Sequence, residues 1–296
     1  MNFAVIGVGG YIAPRHLEAI KDLGHNVVAA FDINDSVGIL DRYFPDCQFF
    51  SQFERFEVFV DSLKGTDKQV EYVSICTPNY LHASHIKFAL SHGAHAICEK
   101  PLVLSEKEID ELEQYESRYG RKVFTVLQLR VHDAILALKK KVEGNPKDLF
   151  KIDLNYMTSR GNWYHESWKG DVRKSGGLST NIGVHFFDML TWIFGDPVDV
   201  AVSEYTPTLE KGTLKLKNAE VSWSLTVDRK LLPPAAVAAG KTTFRSITID
   251  GEEFEFSEGF TELHRRVYQD VLGGRGYGLN AARGAIRIVE NIRKMS

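Results

Sequence analysis

The chain has 296 residues, 44% of them hydrophobic and 25% charged, with a formal net charge of -3 and a pI near 6.4. That length accommodates about two domains with ordinary globular cores. The slight acidity excludes nucleic acid as a global partner, and no apolar run approaches the roughly 18 residues of a membrane span. Cys47, Cys76 and Cys98 form no Cys-x-x-Cys pair and cannot all be bridged, which fits a reducing compartment. Met1-Asn2 leads straight into an apolar strand, so a cytoplasmic protein is expected.

Phe3 to Ile6 reads as a short buried strand. It runs into Gly7-Val8-Gly9-Gly10-Tyr11-Ile12-Ala13 and then a helix from about Pro14 to Leu23. Strand, glycine turn and helix make a dinucleotide fingerprint, in which the glycines let the backbone approach a pyrophosphate at the positive end of the helix. The third small residue arrives one position late, at Ala13, because position 12 is Ile12. Asn26 to Phe31 is a second apolar strand ending in Asp32. A carboxylate at that tip accepts hydrogen bonds from an adenosine ribose and repels a 2′-phosphate, and no lysine or arginine follows it through Leu40. NAD is therefore expected over NADP.

Phe49, Phe50, Phe53, Phe56 and Phe59 fall close to helical spacing from Phe53 onward, which assigns them to core packing. Glu71 to Cys76 is a third strand, followed by Thr77-Pro78-Asn79 and a helix from about Leu81 to Ser91. Thr77 and Asn79 share a sheet edge with the glycine turn and offer polar groups to the cofactor, and His82 starts the next helix. His82, His85, His92 and His95 have no carboxylate or thiolate completing a ligand set, so no metal is expected.

The apolar run Ala96-Ile97-Cys98 then ends abruptly in Glu99-Lys100-Pro101. Proline cannot donate to a ladder, so the strand stops there and Lys100 sits at the carboxyl edge where ligands bind. Such an ammonium can polarise a substrate oxygen, while in isolation the hexapeptide equally fits a solvated loop lysine. Ser105 to Gly120 is a helix with a capping box of Ser105 and Glu108, and Lys122 to Leu129 is a strand with Gln128, Arg130 and His132 at its tip. This alternation specifies a right-handed parallel sheet and places a first, Rossmann-type domain at residues 1–130.

Residues 131–296 read differently, as a domain for substrate binding and oligomerisation. Asp133 to Glu143 is helical, and strands are expected over Lys151 to Thr158, Val198 to Tyr205, Thr213 to Val227, Thr242 to Asp250 and Glu252 to Phe256. The alternation of Val221, Trp223, Leu225 and Val227 puts one face of a largely antiparallel sheet in a core. The other face is left open, and a homo-oligomer, dimer or tetramer, is expected through it. Helices at about Phe260 to Leu272 and Leu279 to Lys294 close the chain, the last able to pack back on the first domain. Between the strands at Lys151 to Thr158 and Val198 to Tyr205 lies a second polar constellation, Ser175-Gly176-Gly177-Leu178-Ser179-Thr180-Asn181-Ile182-Gly183-Val184-His185-Phe186-Phe187-Asp188. On a helix, Asn181, His185 and Asp188 would share one stripe, where the histidine serves as a general base or is a core residue satisfied by Asp188.

Gly7-Val8-Gly9-Gly10, Ile97-Cys98-Glu99-Lys100-Pro101, Trp168-Lys169 ahead of Ser175-Gly176-Gly177, and Asn181-Ile182-Gly183-Val184-His185 with Asp188 together resemble the Gfo/Idh/MocA oxidoreductases. That resemblance implies an NAD(P) domain followed by an α/β domain built on a large open sheet. It implies Lys100 and His185 as the catalytic pair, Glu99 beside the nicotinamide, a cis peptide before Pro101, and Trp168-Lys169 reaching the cofactor. The family commonly has aspartate where this chain has Asn181, and an amide cannot stabilise an imidazolium as a carboxylate does. Gly10 to His16, Asp35-Ser36-Val37-Gly38, Val73 to Cys76, Gln128-Leu129-Arg130 and Thr180 to Gly183 look most like the UDP-N-acetylglucosaminuronate 3-dehydrogenases within it. Those enzymes oxidise the sugar C3 hydroxyl to a ketone on the route to diacetamido uronic acids of surface polysaccharide.

By the same resemblance the cofactor contacts are Gly7, Gly9, Gly10, Tyr11, Ile12, Asp32, Ser36, Thr77, Pro78, Asn79, His82, Glu99, Lys100, Gln128, Trp168 and Lys169. The substrate contacts are Lys100, Arg130, Arg160, Trp163, Tyr164, Asn181 and His185. Arg130 and Arg160 suit a diphosphate and a uronate carboxylate, and Trp163 and Tyr164 suit stacking on a sugar or uracil, although residues 159–174 also fit a solvated loop. The implied partners are a UDP-sugar and a 2-oxo acid that reoxidises bound NADH. One alternative is another Gfo/Idh/MocA sugar or polyol dehydrogenase; the other is a sugar-sensing regulator that binds a nucleotide without turnover, against which the presence of both Lys100 and His185 argues.

Overall fold

A computed structural model describes residues 1–146, 149–256 and 259–295. The chain folds as two units. The first comprises Met1–Val103, Lys107–Gln128 and Thr261–Ala282, and the second comprises Leu104–Glu106, Leu129–Phe260 and Arg283–Ser296. A single cut near residue 130 therefore does not divide them, because the segment 261–282 returns to the first unit.

In the first unit, strands and helices alternate: β1 (Asn2–Ile6), α1 (Ala13–Asp22), β2 (Asn26–Phe31), α2 (Ile39–Tyr43), β3 (Gln48–Phe50), α3 (Phe53–Ser62), β4 (Tyr72–Ile75), α4 (His82–Ser91), β5 (His95–Cys98), α5 (Glu106–Tyr119) and β6 (Val123–Thr125). The strands form a wholly parallel sheet in the order β3-β2-β1-β4-β5-β6. Phe3 to Ile6 are all buried, as expected of a central parallel strand covered on both faces. The order reverses between β1 and β4, which puts the glycine turn, Thr77-Pro78-Asn79 and Glu99-Lys100-Pro101 at one carboxyl edge. The strand expected over Lys122 to Leu129 is shorter. Leu127 N–H turns back to the Thr125 carbonyl at 3.0 Å, and Gln128–Val131 is a 3₁₀ turn.

The phenylalanines pack as anticipated. Phe53 meets Phe31 edge-on with ring centroids 5.2 Å apart, and Phe56 lies against Phe31, Phe50, Phe53 and Phe88. His85 joins this layer, tilted on Phe53 and bonded through Nδ1 to Thr77 Oγ1 at 2.9 Å.

The second unit contains α6 (Asp133–Gly144), β7 (Phe150–Thr158), α7 (Asn162–Glu166), α8 (Val172–Ser175), α9 (Val184–Phe194), β8 (Pro197–Tyr205), β9 (Leu209–Leu216), β10 (Ala219–Thr226), α10 (Pro234–Ala238), β11 (Thr243–Ile249) and β12 (Glu252–Glu253). After these come α11 (Leu263–Leu272), which belongs to the first unit, and α12 (Leu279–Lys294), most of which belongs to the second. The second sheet runs β12-β11-β7-β10-β9-β8 and is antiparallel except for β7 against β10. The single strand expected over Thr213 to Val227 is instead a hairpin. Leu216 pairs with Ala219 across Lys217-Asn218, whose N–H groups are taken by the Asp196 and Phe194 carbonyls.

One face of this sheet carries Ile152, Leu154, Val221, Trp223 and Leu225 into a core with Leu138, Phe187, Ile288 and Ile292. Burying each large side chain contributes about 1.5–3 kcal/mol. The opposite face presents Lys151, Asp153, Glu220 and Ser222, so the open face is polar rather than apolar. Among the described residues no helix is long and apolar enough to cross a membrane.

Burial lowers the basicity of five first-unit histidines, His16, His25, His82, His85 and His95. His16 is pushed down by desolvation against an opposing pull from Glu99, and desolvation takes His85 down to about 4. A histidine neutral in the fold but titrating near 6.5 when unfolded binds more protons unfolded, so stability is present above that range and falls as pH drops below it. For His85 the loss at pH 5 is about 2 kcal/mol. Thermal melts from pH 7.5 to 5.0 should show a falling midpoint, and His85→Gln should flatten that dependence. An unchanged slope would show that His85 is not a source of it.

Candidate active site

The glycine turn is shaped by backbone approach. Gly7 has φ +85°, and a Cβ there would lie 2.8 Å from the Cys76 and Thr77 backbone, so both conformation and space require glycine. Gly9 donates its N–H to Asp32 Oδ2 at 2.9 Å, while Asp32 Oδ1 accepts from Asn34 N–H at 2.9 Å. The acid at the tip of β2 thus pins the turn as well as facing a ribose position. At the start of α1 no side chain caps Ile12 and the first turn holds no acid. The Tyr11 and Ile12 N–H groups take no hydrogen-bond partner among the described residues. Two unpaired donors at a helix N-terminus fit a pyrophosphate.

Around this edge Thr77, Asn79 and His82 are buried, Ile12, Pro78 and Gln128 half-buried, and Tyr11 and Ser36 exposed. His82 Nδ1 lies 2.7 Å from the Pro101 carbonyl and Nε2 2.8 Å from the Thr77 carbonyl, tying the loop after β5 to the loop after β4. The Lys100-Pro101 peptide is cis, as expected. Lys100 is half-buried.

Sequence reasoning missed what stands behind Lys100. Glu99 is 6% exposed, and its Oε1 accepts from His16 Nε2 at 2.9 Å and from His264 Nε2 at 3.0 Å. His16 Nδ1 meets the Tyr268 hydroxyl at 2.7 Å, and that hydroxyl meets Ser74 Oγ at 2.6 Å. Burial acts to raise the Glu99 carboxyl, but the hydrogen bonds and attraction from His16 and His264 outweigh it and hold Glu99 well below the usual carboxylate range. These separations are those of a carboxylate solvated by two imidazoles. No local spacing announces the set, since its members come from α1, the end of β5 and α11.

In the second unit the Ser175-Gly176-Gly177 turn has φ +81° and +84° at its two glycines. A Cβ on Gly177 would lie 3.0 Å from the Tyr205 hydroxyl. Glu210 of β9 accepts from the Leu178 and Ser179 N–H groups, both at 2.9 Å, and from the Ser179 hydroxyl. A sheet carboxylate therefore caps the segment that leads to His185. That segment is not one regular helix. A π turn over Ser179–Gly183 precedes α9, a departure common at functional sites.

The expected polar stripe is correspondingly divided. Asn181 Nδ2 donates to the Tyr164 hydroxyl at 3.0 Å. Asp188 is held by Arg130, which bonds both its oxygens at 3.0 and 2.8 Å and lies over the Trp192 ring. His185 is half-buried at the start of α9. Arg130, assigned to the substrate anion on sequence grounds, is 6% exposed and engaged by a carboxylate of its own unit. Tyr164 is 3% exposed and so supports Asn181 rather than presenting a stacking face. Arg160 is exposed and Trp163 is 56% exposed, with Lys169 Nζ 4.2 Å from the Trp168 ring centroid and 5.8 Å from that of Trp163.

A doubly wound parallel sheet with a glycine turn, an acid ending β2 and a lysine at the same edge defines a dinucleotide-dependent oxidoreductase. Residues 1–127 match the oxidoreductase family with NAD-binding Rossmann fold, and residues 139–229 match that family's C-terminal α/β domain. A Thermus thermophilus WlbA (WbpB) dehydrogenase in complex with NAD and UDP-GlcNAcA is 48% identical, with 99% of this chain and 94% of that one covered and a TM-score of 0.95. The same enzyme with NAD and alpha-ketoglutarate gives 49% identity, 100% and 96% coverage and a TM-score of 0.97. Among curated relatives, the 2,7-anhydro-N-acetylneuraminate hydratase of Mediterraneibacter gnavus is 26% identical over 66% of this chain and 50% of its own length. The chain spans about half the length of such curated relatives. The chain belongs to the Gfo/Idh/MocA oxidoreductases, and its cofactor is NAD.

Asp32 supplies a direct test of cofactor choice. NAD should bind at least about tenfold more tightly than NADP, and Asp32→Ala should weaken NAD by about 10- to 100-fold through lost charge-assisted hydrogen bonds. Fluorescence titration reads both constants, and equal affinities in the parent protein would refute the assignment.

Proposed function

We propose that this protein oxidises the C3 hydroxyl of a UDP-linked N-acetylated uronic acid sugar to the 3-keto sugar, with NAD taking the hydride. The observation that carries this is the 48% identity over almost the whole of both chains to a dehydrogenase holding NAD and UDP-GlcNAcA. The product suits an aminotransferase on the way to a diacetamido uronic acid of surface polysaccharide. The 2-oxo acid bound by the Thermus thermophilus enzyme supports reoxidation of NADH in place.

The bound cofactor supplies a hydride acceptor at its nicotinamide ring; everything else falls to the chain. The glycine turn and the α1 N-terminus would hold the pyrophosphate and Asp32 the adenosine ribose, with Trp168 and Lys169 as the further cofactor contacts that the family resemblance implies. Lys100 and His185 serve one hydroxyl: one takes its proton as the hydride leaves carbon, and the other stabilises the developing charge on oxygen. Arg160 and Trp163 remain for the diphosphate, carboxylate or base of the substrate. Arg130 is better read as the anchor of α9 through Asp188, and Tyr164 as the support of Asn181.

His185→Ala should lose on the order of 100-fold or more in single-turnover NADH formation from UDP-GlcNAcA while substrate affinity is largely kept, the pattern of a group acting in the transition state. Near-normal chemistry with collapsed affinity would remove His185 from the catalytic pair. The polar open face of the second sheet, Lys151, Asp153, Glu220 and Ser222, suits pairing with a second copy. Light scattering at micromolar concentration should return a dimer or tetramer, and a monomer would exclude this pairing.

A further inference from the structure

The proposed substrate carries two kinds of anion, a diphosphate and a uronate carboxylate. Arg160 is exposed and suits the diphosphate, but Arg130 is engaged by Asp188 through both of its oxygens. A receptor for the carboxylate has to be sought elsewhere in the second unit, and the sequence marked none.

Arg245 of β11 lies directly opposite Tyr156 of β7, as Ile247 lies opposite Leu154. It therefore sits on the face of the sheet that Ile152, Leu154 and Ile247 turn into the core, where a cation is out of pattern. Aromatic rings enclose it. Its guanidinium carbon is 4.7 Å from the Phe256 ring centroid, 4.9 Å from that of Phe260 and 5.8 Å from that of Tyr156. His132 closes the box, edge-on to Phe256 and tilted on Phe260 with ring centroids 5.1 Å apart.

The rings account for the position of this cation but not for its N–H groups. Nη1 reaches the Phe256 carbonyl only at 3.4 Å, and Nε is buried with no hydrogen-bond acceptor. Among the described residues no carboxylate pairs with it, in contrast to Arg130. A guanidinium with an unanswered buried donor is costly in a finished core and calls for a reason. Aromatic walls that fix its plane while its donors stay open are what a receptor for a planar anion requires.

The box also adjoins the helix of the proposed base. The Tyr156 ring lies 4.8 Å from the Phe186 ring, centroid to centroid, and Phe186 follows His185 on α9. One tyrosine ring thus bridges Arg245 and the start of α9, a span about as wide as a pyranose with its carboxylate. A single guanidinium matches a monoanion, and ring faces match the C–H surface of a sugar.

We propose that Arg245 binds the carboxylate of the uronic acid and thereby selects a UDP-uronate over the corresponding neutral UDP-sugar. The choice of anion rests on the substrate reading above, whereas the open guanidinium in its aromatic box does not.

The test titrates the NAD-loaded protein with UDP-GlcNAcA, UDP-GlcNAc and UDP by calorimetry. UDP-GlcNAc lacks only the carboxylate, and UDP keeps only the nucleotide end. The parent protein should bind UDP-GlcNAcA at least about tenfold more tightly than UDP-GlcNAc. Arg245→Met, which keeps an unbranched chain against the rings, should weaken UDP-GlcNAcA by about 10- to 100-fold and leave the other two within about twofold, so that the preference disappears. Unchanged UDP binding shows that the variant is folded. Where Arg245→Met does not fold, Arg245→Lys decides: keeping the charge without the planar fork, it should lose part of the preference at unchanged UDP affinity. A parent protein that binds the two sugars equally, or a folded variant that weakens all three ligands together or none, overturns the proposal. If the preference is present and depends on Arg245 but no NADH forms from UDP-GlcNAcA, the dehydrogenase reading fails and the carboxylate site stands.

Discussion

A buried carboxylate that has to be satisfied is the constraint on which the first unit depends. Glu99 closes β5 at the sheet's carboxyl edge, and leaving such a group without its donors costs about 3–5 kcal/mol. One donor, His16, comes from the helix that follows the glycine turn, so the cofactor loop and the Glu-Lys-Pro loop are set by the same hydrogen bond. The other, His264, comes from α11. Tyr268, one turn further on, is fully buried and braces His16. The chain leaves the first unit at residue 128 and re-enters it at residue 261, and this set gives a physical reason for the return.

The second unit uses buried acids in the same way to place a different residue. Glu210 is raised by burial, opposed by hydrogen bonds from Ser179 and Leu178, and fixes the start of the π turn. Asp188 is likewise raised by burial and opposed by Arg130, whose paired hydrogen bonds and stacking on Trp192 hold the body of α9. His185 lies between these two anchor points in the chain. Its position therefore depends on a strand and on the turn that ends the Rossmann sequence as much as on its own helix.

Asn181 takes on a plain chemical meaning in this setting. Its amide donates to the buried Tyr164 hydroxyl, whereas a carboxylate at the same place could only accept from that hydroxyl. The departure from the family's usual aspartate is thus matched by a tyrosine on α7.

Much of the first unit was legible in the sequence because its signals are local. Apolar runs of four to six residues, glycines where the backbone must come close, Asp32 at a strand tip and a proline after Lys100 each report on a few neighbouring residues, and together they define the parallel sheet, its ligand edge and NAD. The alternation through Val221, Trp223 and Leu225 likewise revealed a sheet with one buried face, though not the hairpin at Lys217-Asn218, which carries no glycine to mark it. Only the tertiary structure decided the partners of the charged groups. Arg130 looked suited to a substrate anion, yet Asp188, 58 residues further along the chain, binds it. Glu99 was expected only as a residue beside the nicotinamide, yet His16 and His264 determine its state. Hydrophobic period and turn chemistry are written along the chain, but a buried charge chooses its partner through space, across separations that no local pattern records.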